Sequence, residues 1–248
     1  MTSENLKFKL KQNKKASLFC ALDSNDAGTV VHLADTLANS VDGLKLGLEF
    51  FCANGPQGLL KLTNRDLPIF LDLKLHDIPN TVAKAVRSIA PLKPKYLTIH
   101  ASGGEAMLKA AVMAAEEEAE SLKLPKIRLL AVTILTSLDQ KDLQSIGLDV
   151  STTHSVARLA SLAAQTGVDG VVCSPKEIET VRCEIGAEKE IFVPGIRPNG
   201  SEKGDQKRSA TPIEAVNSGA TALVVGRPIT KSENPYKAAL AIKAEMLN

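Results

Sequence analysis

Eight short apolar runs, each followed by a segment of helical period, repeat along this chain with no Ser/Gly/Pro-rich linker between them. Strands alternating with helical segments in this way are the pattern of βα units, so one α/β domain over residues 1–248 is expected. The strands are expected near 17–22, 42–47, 68–74, 95–100, 127–135, 169–173, 190–194 and 221–226. Eight parallel strands with crossover helices predict a closed (β/α)8 barrel, the TIM barrel. An open doubly wound sheet is the alternative, but no Gly-x-Gly-x-x-Gly follows the first strand. With 248 residues and 44% hydrophobic composition, the chain can bury one large core.

Composition excludes several classes of function. A formal net charge of +2 gives no general attraction to nucleic acid or to a membrane surface. Aromatics make up 3% of the chain and Trp is absent, which argues against base-stacking platforms and membrane aromatic belts. No apolar run approaches the roughly 18 residues of a membrane span. Lys7, Lys9, Lys11, Lys14 and Lys15 crowd the N-terminus, but Glu4 accompanies them and an apolar core is missing, so no export or transit peptide is expected. Cys20, Cys52, Cys173 and Cys183 form no Cys-x-x-Cys pair. That spacing argues against a zinc site or disulfide framework and for reduced thiols in a cytoplasmic protein.

A barrel places function at the C-terminal ends of its strands. Polar and charged residues recur at those ends: Asp23, Lys45, Asp72 with Lys74, His100, Thr136, Arg197, and Gly226 with Arg227. Within residues 69–81, period-2 spacing sends Asp72 and Lys74 to one face of a strand and Leu71, Leu73 and Leu75 to the other. Asp77 follows as Pro79 ends the strand. Lys45, in Gly-Leu-Lys-Leu-Gly, is expected to project into the barrel mouth. Lys45, Asp72, Lys74 and Asp77 then form an array of alternating charge. A barrel-closing salt-bridge network is the plainer alternative, yet apolar residues could replace such a network with little loss. Ser24, Asn25 and Asp26 can each cap the next helix, which leaves Asp23 for a ligand. His100 fits a bonded core histidine as well as a catalytic one. Thr136 and Ser137 suit either a flat polar ring or a helix cap.

The last third is suited to phosphate. Residues 195–209 make a long polar loop with three glycines, and loops of that length inside a compact domain are usually functional lids. Barrels recurrently bind phosphate in the loops after strands seven and eight. Arg197 and Gln206 lie on the first of these loops and Gly226-Arg227 on the second, where an uncrowded amide and a guanidinium fork can meet phosphate oxygens. A surface loop with incidental charge is the alternative.

Asp-Leu-Lys-Leu-His-Asp-Ile-Pro-Asn-Thr at 72–81 resembles the signature of the orotidine 5′-phosphate decarboxylase family. The resemblance extends over essentially the whole chain, through Ala-Leu-Asp23, Leu-Lys45-Leu-Gly, Thr-Ile-His100-Ala-Ser-Gly-Gly, Val-Thr-Ile-Leu-Thr136-Ser, Pro-Gly-Ile-Arg197 and Val-Val-Gly226-Arg227-Pro-Ile. It implies a homodimeric barrel that decarboxylates orotidine 5′-monophosphate to UMP in pyrimidine biosynthesis, with no metal or organic cofactor. By position it implies that Asp23 and Lys45 bind the ribose hydroxyls, with Lys45 bracing Asp72, and that Lys74 donates the proton. It further implies that Asp77, Ile78 and Thr81 reach the neighbouring subunit's site. Thr136 would contact the pyrimidine, and Arg197, Gln206, Gly226 and Arg227 the phosphate. The resemblance leaves His100 without a role. Fused phosphoribosyltransferase sequence is not expected ahead of a strand that begins by residue 17.

Two rivals remain at this point. Sugar-phosphate decarboxylases and aldolases of the same barrel suite share Asp-x-Lys-x-x-Asp and use Mg²⁺, but they resemble this chain less at strand two, where they carry a carboxylate and it has Lys45. A catalytically silent nucleotide-binding barrel would have no need of the proton donor.

Overall fold

The computed structural model describes residues 16–198 and 209–247. Eight parallel strands form a closed barrel: β1 (Ser17–Ala21), β2 (Gly43–Gly47), β3 (Ile69–Leu75), β4 (Tyr96–His100), β5 (Arg128–Val132), β6 (Gly170–Val172), β7 (Glu190–Val193) and β8 (Ala222–Val225). Closure is made by β1 against β8, with Ser17 opposite Ala222 and Cys20 opposite Val225. The expected (β/α)8 architecture is therefore present.

Local sequence explains where the helices begin. Asp26 caps α1 (Ala27–Leu37), its side chain accepting from the amides of Gly28 and Thr29, so Asp23 is indeed spared that duty. After α2 (Leu48–Leu60), α3 (Pro79–Ile89) opens on a proline, which has no amide proton to satisfy. The chain continues through α4 (Gly104–Leu122), α5 (Gln140–Ser145), α6 (Thr152–Gln165), α7 (Ile178–Ile185), α8 (Pro212–Asn217), α9 (Arg227–Thr230) and α10 (Pro235–Glu245). Among the described residues, no helix is long and apolar enough to cross a membrane.

Two apolar cores follow from strand alternation. Outward residues such as Leu44, Leu46, Leu71 and Leu97 pack under the helices, while Phe19, Phe70, Tyr96, Leu130 and Phe192 fill the barrel interior. The chain has only 6 Phe and 2 Tyr, so half of its aromatic rings are gathered here. Phe192 is central, with ring centroids 4.7 Å from Tyr96, 5.2 Å from Phe70 and 5.3 Å from Phe19. These rings, more than branched aliphatics, floor the barrel. Below them Glu190 Oε1 accepts from Arg128 at 2.7 Å and from the Tyr96 hydroxyl at 3.2 Å.

One expectation needs correction. The fifth strand ends at Val132 and not at residue 135: the Thr133 amide makes the last ladder bond to the Val172 carbonyl at 3.1 Å, and the Thr133 hydroxyl donates to the same oxygen at 2.9 Å. Along β3, Asp72 and Lys74 meet on one face and Leu71, Leu73 and Leu75 pack in the outer core, but the pairing with β4 is uneven around Lys74. Leu71 pairs with Leu97 and Leu75 with Ile99, so β3 uses four residues where β4 uses two, and Lys74 takes a left-handed φ of 51°. Leu75 is accordingly half-buried, whereas Leu71 is fully buried.

Gly170 shows how tightly the barrel closes. A Cβ there would lie 2.4 Å from the Glu190 carbonyl oxygen on the adjoining strand. Gly170→Ala should therefore lower unfolding free energy by about 1–3 kcal/mol, the range of overpacked sites. Urea denaturation monitored by circular dichroism would measure the loss, and an unchanged midpoint would contradict this account.

Candidate active site

Strand register determines which side chains enter the barrel mouth. Ala21, Lys45 and Phe70 lie side by side on β1, β2 and β3, and Ala21 and Phe70 both belong to the interior cluster. Lys45 at the same level must also point inward. Asp72, two residues beyond Phe70, shares its face.

The resulting ion pairs run in one line. Lys45 Nζ is 2.7 Å from Asp23 Oδ1 and 4.0 Å from Asp72 Oδ2, and Lys74 Nζ is 2.7 Å from that same Asp72 Oδ2. Exposure separates the two acids, since the Asp72 side chain is 13% exposed and that of Asp23 53%. The outer pair is worth little in water, and the inner one is screened far less. Gly47 leaves room for this line, because a Cβ there would come within 3.2 Å of Lys45 Nζ and 3.4 Å of Asp23 Oδ1.

Asp72 has a further partner that sequence reasoning missed. The Thr98 hydroxyl donates to Asp72 Oδ1 at 2.9 Å and accepts the Lys74 amide at 2.9 Å. Its position as the polar residue of Tyr-Leu-Thr-Ile-His was the available signal. Beside Lys74, the half-buried His100 ring lies 5.3 Å from that of His76. Burial pushes the His100 pKa down, with His76 and Lys74 adding to the effect and Asp72 opposing it. Beneath the array, burial and then Asp23 push the Cys20 thiol up to about 12 against the pull of Lys45, so it offers no nucleophilic thiolate.

A cavity of about 490 Å³ opens over these groups, lined by Asp23, Lys45, Asp72 and Lys74 at one side. Its apolar wall includes Val132, Ile134 and Val172, with Thr136 beside them. Gly195, Arg197, Gly226 and Arg227 also line it, joined by Thr230 and Lys231, which the sequence reading did not single out. The Arg197 backbone is anchored by its amide N–H, which donates to the Ala210 carbonyl at 2.9 Å. Gln206 and most of the 195–209 loop lie outside the described residues.

The chain does not bring Asp77, Ile78 or Thr81 to this cavity. All three are exposed, Ile78 at 65%, and Asp77 Oδ1 accepts the Ile78 amide at 2.6 Å. Within one chain the alternating array therefore runs Asp23, Lys45, Asp72, Lys74, with Asp77 outside it.

Known proteins resemble this chain over nearly its whole length. The model of the "Orotidine 5'-phosphate decarboxylase / HUMPS family" matches residues 16–242. Orotidine 5′-phosphate decarboxylase of Paramagnetospirillum magneticum is 48% identical over 229 residues, covering 92% of this chain and 97% of that protein. The Sphingopyxis alaskensis protein of the same name is also 48% identical, over 92% of this chain and 98% of its own length. The crystal structure of orotidine 5′-phosphate decarboxylase from Lactobacillus acidophilus superposes with a TM-score of 0.81 at 34% identity, covering 94% of this chain and 100% of that one. With matches that run the length of the barrel and take in every strand that carries the charged array, the chain belongs to the orotidine 5′-phosphate decarboxylase / HUMPS family.

Proposed function

We propose that this protein decarboxylates orotidine 5′-monophosphate to UMP in pyrimidine biosynthesis, without metal or organic cofactor, and that Lys74 stabilises and protonates C6. The observation that carries this reading is Asp72 held between two ammonium groups in a cavity that Arg197, Arg227 and Lys231 also line. Arg197, Gly226 and Arg227 take the phosphate, with Gln206 added from its loop. Asp23 and Lys45 take the ribose hydroxyls, and Thr136 the pyrimidine edge.

The chemistry suits these residues. As the bond from C6 to the carboxylate breaks, CO2 leaves and the electron pair stays in an sp2 orbital that the ring cannot delocalise. An ammonium fixed by Asp72 stabilises that charge as it develops, and one of its protons then forms the new C6–H bond. Solvent returns the proton to Lys74. Asp72 also repels the substrate carboxylate, a secondary contribution. Phosphate contacts remote from C6 supply binding free energy that orders the charged array around the ring.

A Mg²⁺-dependent sugar-phosphate reaction fits less well, because the Lys45 ammonium stands between Asp23 and Asp72, where it would repel the ion. EDTA-treated protein should consume orotidine 5′-monophosphate, followed by absorbance, and leave ketogulonate 6-phosphate untouched. Orotidine 5′-monophosphate left unconsumed, with ketogulonate 6-phosphate consumed once Mg²⁺ is restored, would reverse the assignment.

The exposed Asp77, Ile78 and Thr81 are supported as contributions to a neighbouring subunit's site in a homodimer by their exclusion from the chain's own cavity. Mixing the inactive variants Lys74→Ala and Asp77→Ala should restore about a quarter of wild-type activity, one competent site in each mixed dimer. No recovery on mixing would place Asp77 in its own chain's chemistry. The free cysteines suit a reducing, cytoplasmic setting.

Lys74→Ala should lower kcat/KM by at least about 10⁴-fold, the upper range of proton-transfer effects. Arg227→Ala should lower it by about 100-fold through kcat as well as KM, as expected for a charge-assisted contact used in the transition state. Steady-state kinetics would check both.

His100 sets an acid limit. His100 has its folded pKa below the ordinary value of 6.5, so below that pH the unfolded chain binds more protons. Stability is therefore full above about 6.5 and declines as pH falls towards the folded pKa. In His100→Gln, Tm should fall less between about pH 7.5 and about pH 5.5 than in the wild type. Equal falls would show that His100 carries no such penalty.

A further inference from the structure

Thr98 is fully buried in the middle of β4, and its hydroxyl has no part in the chemistry proposed above. Two bonds engage it, one from the Lys74 amide and one to Asp72 Oδ1, both at 2.9 Å. A hydroxyl carries a single proton. With the amide proton occupying a lone pair of Oγ1, that single proton is directed at the carboxylate.

The location of these bonds matters. They fall at the break in register where β3 runs from Leu71 to Leu75 against Leu97 to Ile99, with Lys74 in the left-handed region. Side-chain-bearing residues disfavour that conformation and keep it only when their surroundings hold it. Thr98 supplies the acceptor that the displaced Lys74 amide needs, in the place of a strand carbonyl. It also fills Asp72 Oδ1, so that Oδ2 remains for Lys74 at 2.7 Å and Lys45 at 4.0 Å.

We propose that Thr98 is a positioning residue: its hydroxyl ties the bulged Lys74 backbone to the Asp72 carboxylate and so fixes where the Lys74 ammonium points. This rests on the reading that Lys74 and Asp72 act on the substrate. Thr98→Val keeps the branched shape and removes both bonds. Bound substrate would still be held by its phosphate and ribose, so the loss falls on the chemical step.

For Thr98→Val, kcat should drop about 30-fold, within the range for orphaned buried polar groups, while KM and the affinity for UMP stay within about threefold. Thr98→Ser, which restores the hydroxyl, should recover kcat to within about threefold of wild type. Wild-type kcat in the valine variant, a fall borne by KM alone, or a serine variant as slow as the valine one would each overturn the proposal. If circular dichroism shows that the valine variant does not fold, Thr98→Cys, whose thiol is a weak donor and acceptor, is read in its place with the same expected direction. Lys74→Ala in the same assay separates the two levels. An active Lys74→Ala removes the reading beneath the proposal, whereas an inactive one beside a fully active Thr98→Val overturns Thr98 alone.

Discussion

A carboxylate taken out of water must be matched by charge and hydrogen bonds, and Asp72 is where this protein meets that demand. Removing such a group from solvent costs several kcal/mol, and here two ammonium groups and a hydroxyl offset it. Asp23, Lys45, Asp72 and Lys74 sum to no net charge, so this group of four is strongly polar and still balanced. Apolar residues of similar volume would be no less stable. The array is thus a feature that folding tolerates, which makes its use in chemistry the simpler account.

What holds this arrangement in place is the aromatic floor. Phe19, Phe70, Tyr96 and Phe192 separate the charged mouth from a second polar group, Glu190 with Arg128, at the opposite end. Each end therefore solves its own electrostatic problem. Buried Arg182 does similar work outside the barrel, donating to the carbonyls of Gly186, Lys189 and Gly219 and so joining the end of α7 to the approaches of β7 and β8. Framework and site share strands but not charges.

Much of this was legible in the residues themselves. The eight strands and their order follow from apolar runs and helical periods, and Lys45 could be aimed inward from Gly-Leu-Lys-Leu-Gly because alternation decides facing within a regular strand. The left-handed Lys74 and the role of Thr98 were not legible, since both depend on how β3 meets β4 across a register break, a property of neither strand alone. Thr230 and Lys231 were missed for a similar reason: they reach the cavity through the short α9 turn after Gly226 and not through a strand end. Asp77 is near the other charges in sequence, whereas the loop after β3 carries it away from its own cavity.

The uneven pairing of β3 with β4 bears on how far such a centre can be transplanted. Copying the two acids and two bases onto an idealised scaffold, with strands of matched length and uniform pleat, would reproduce the composition of the centre and lose its aim. Two surplus backbone positions and a hydroxyl on the adjoining strand belong to the minimal specification as much as the ionised groups do.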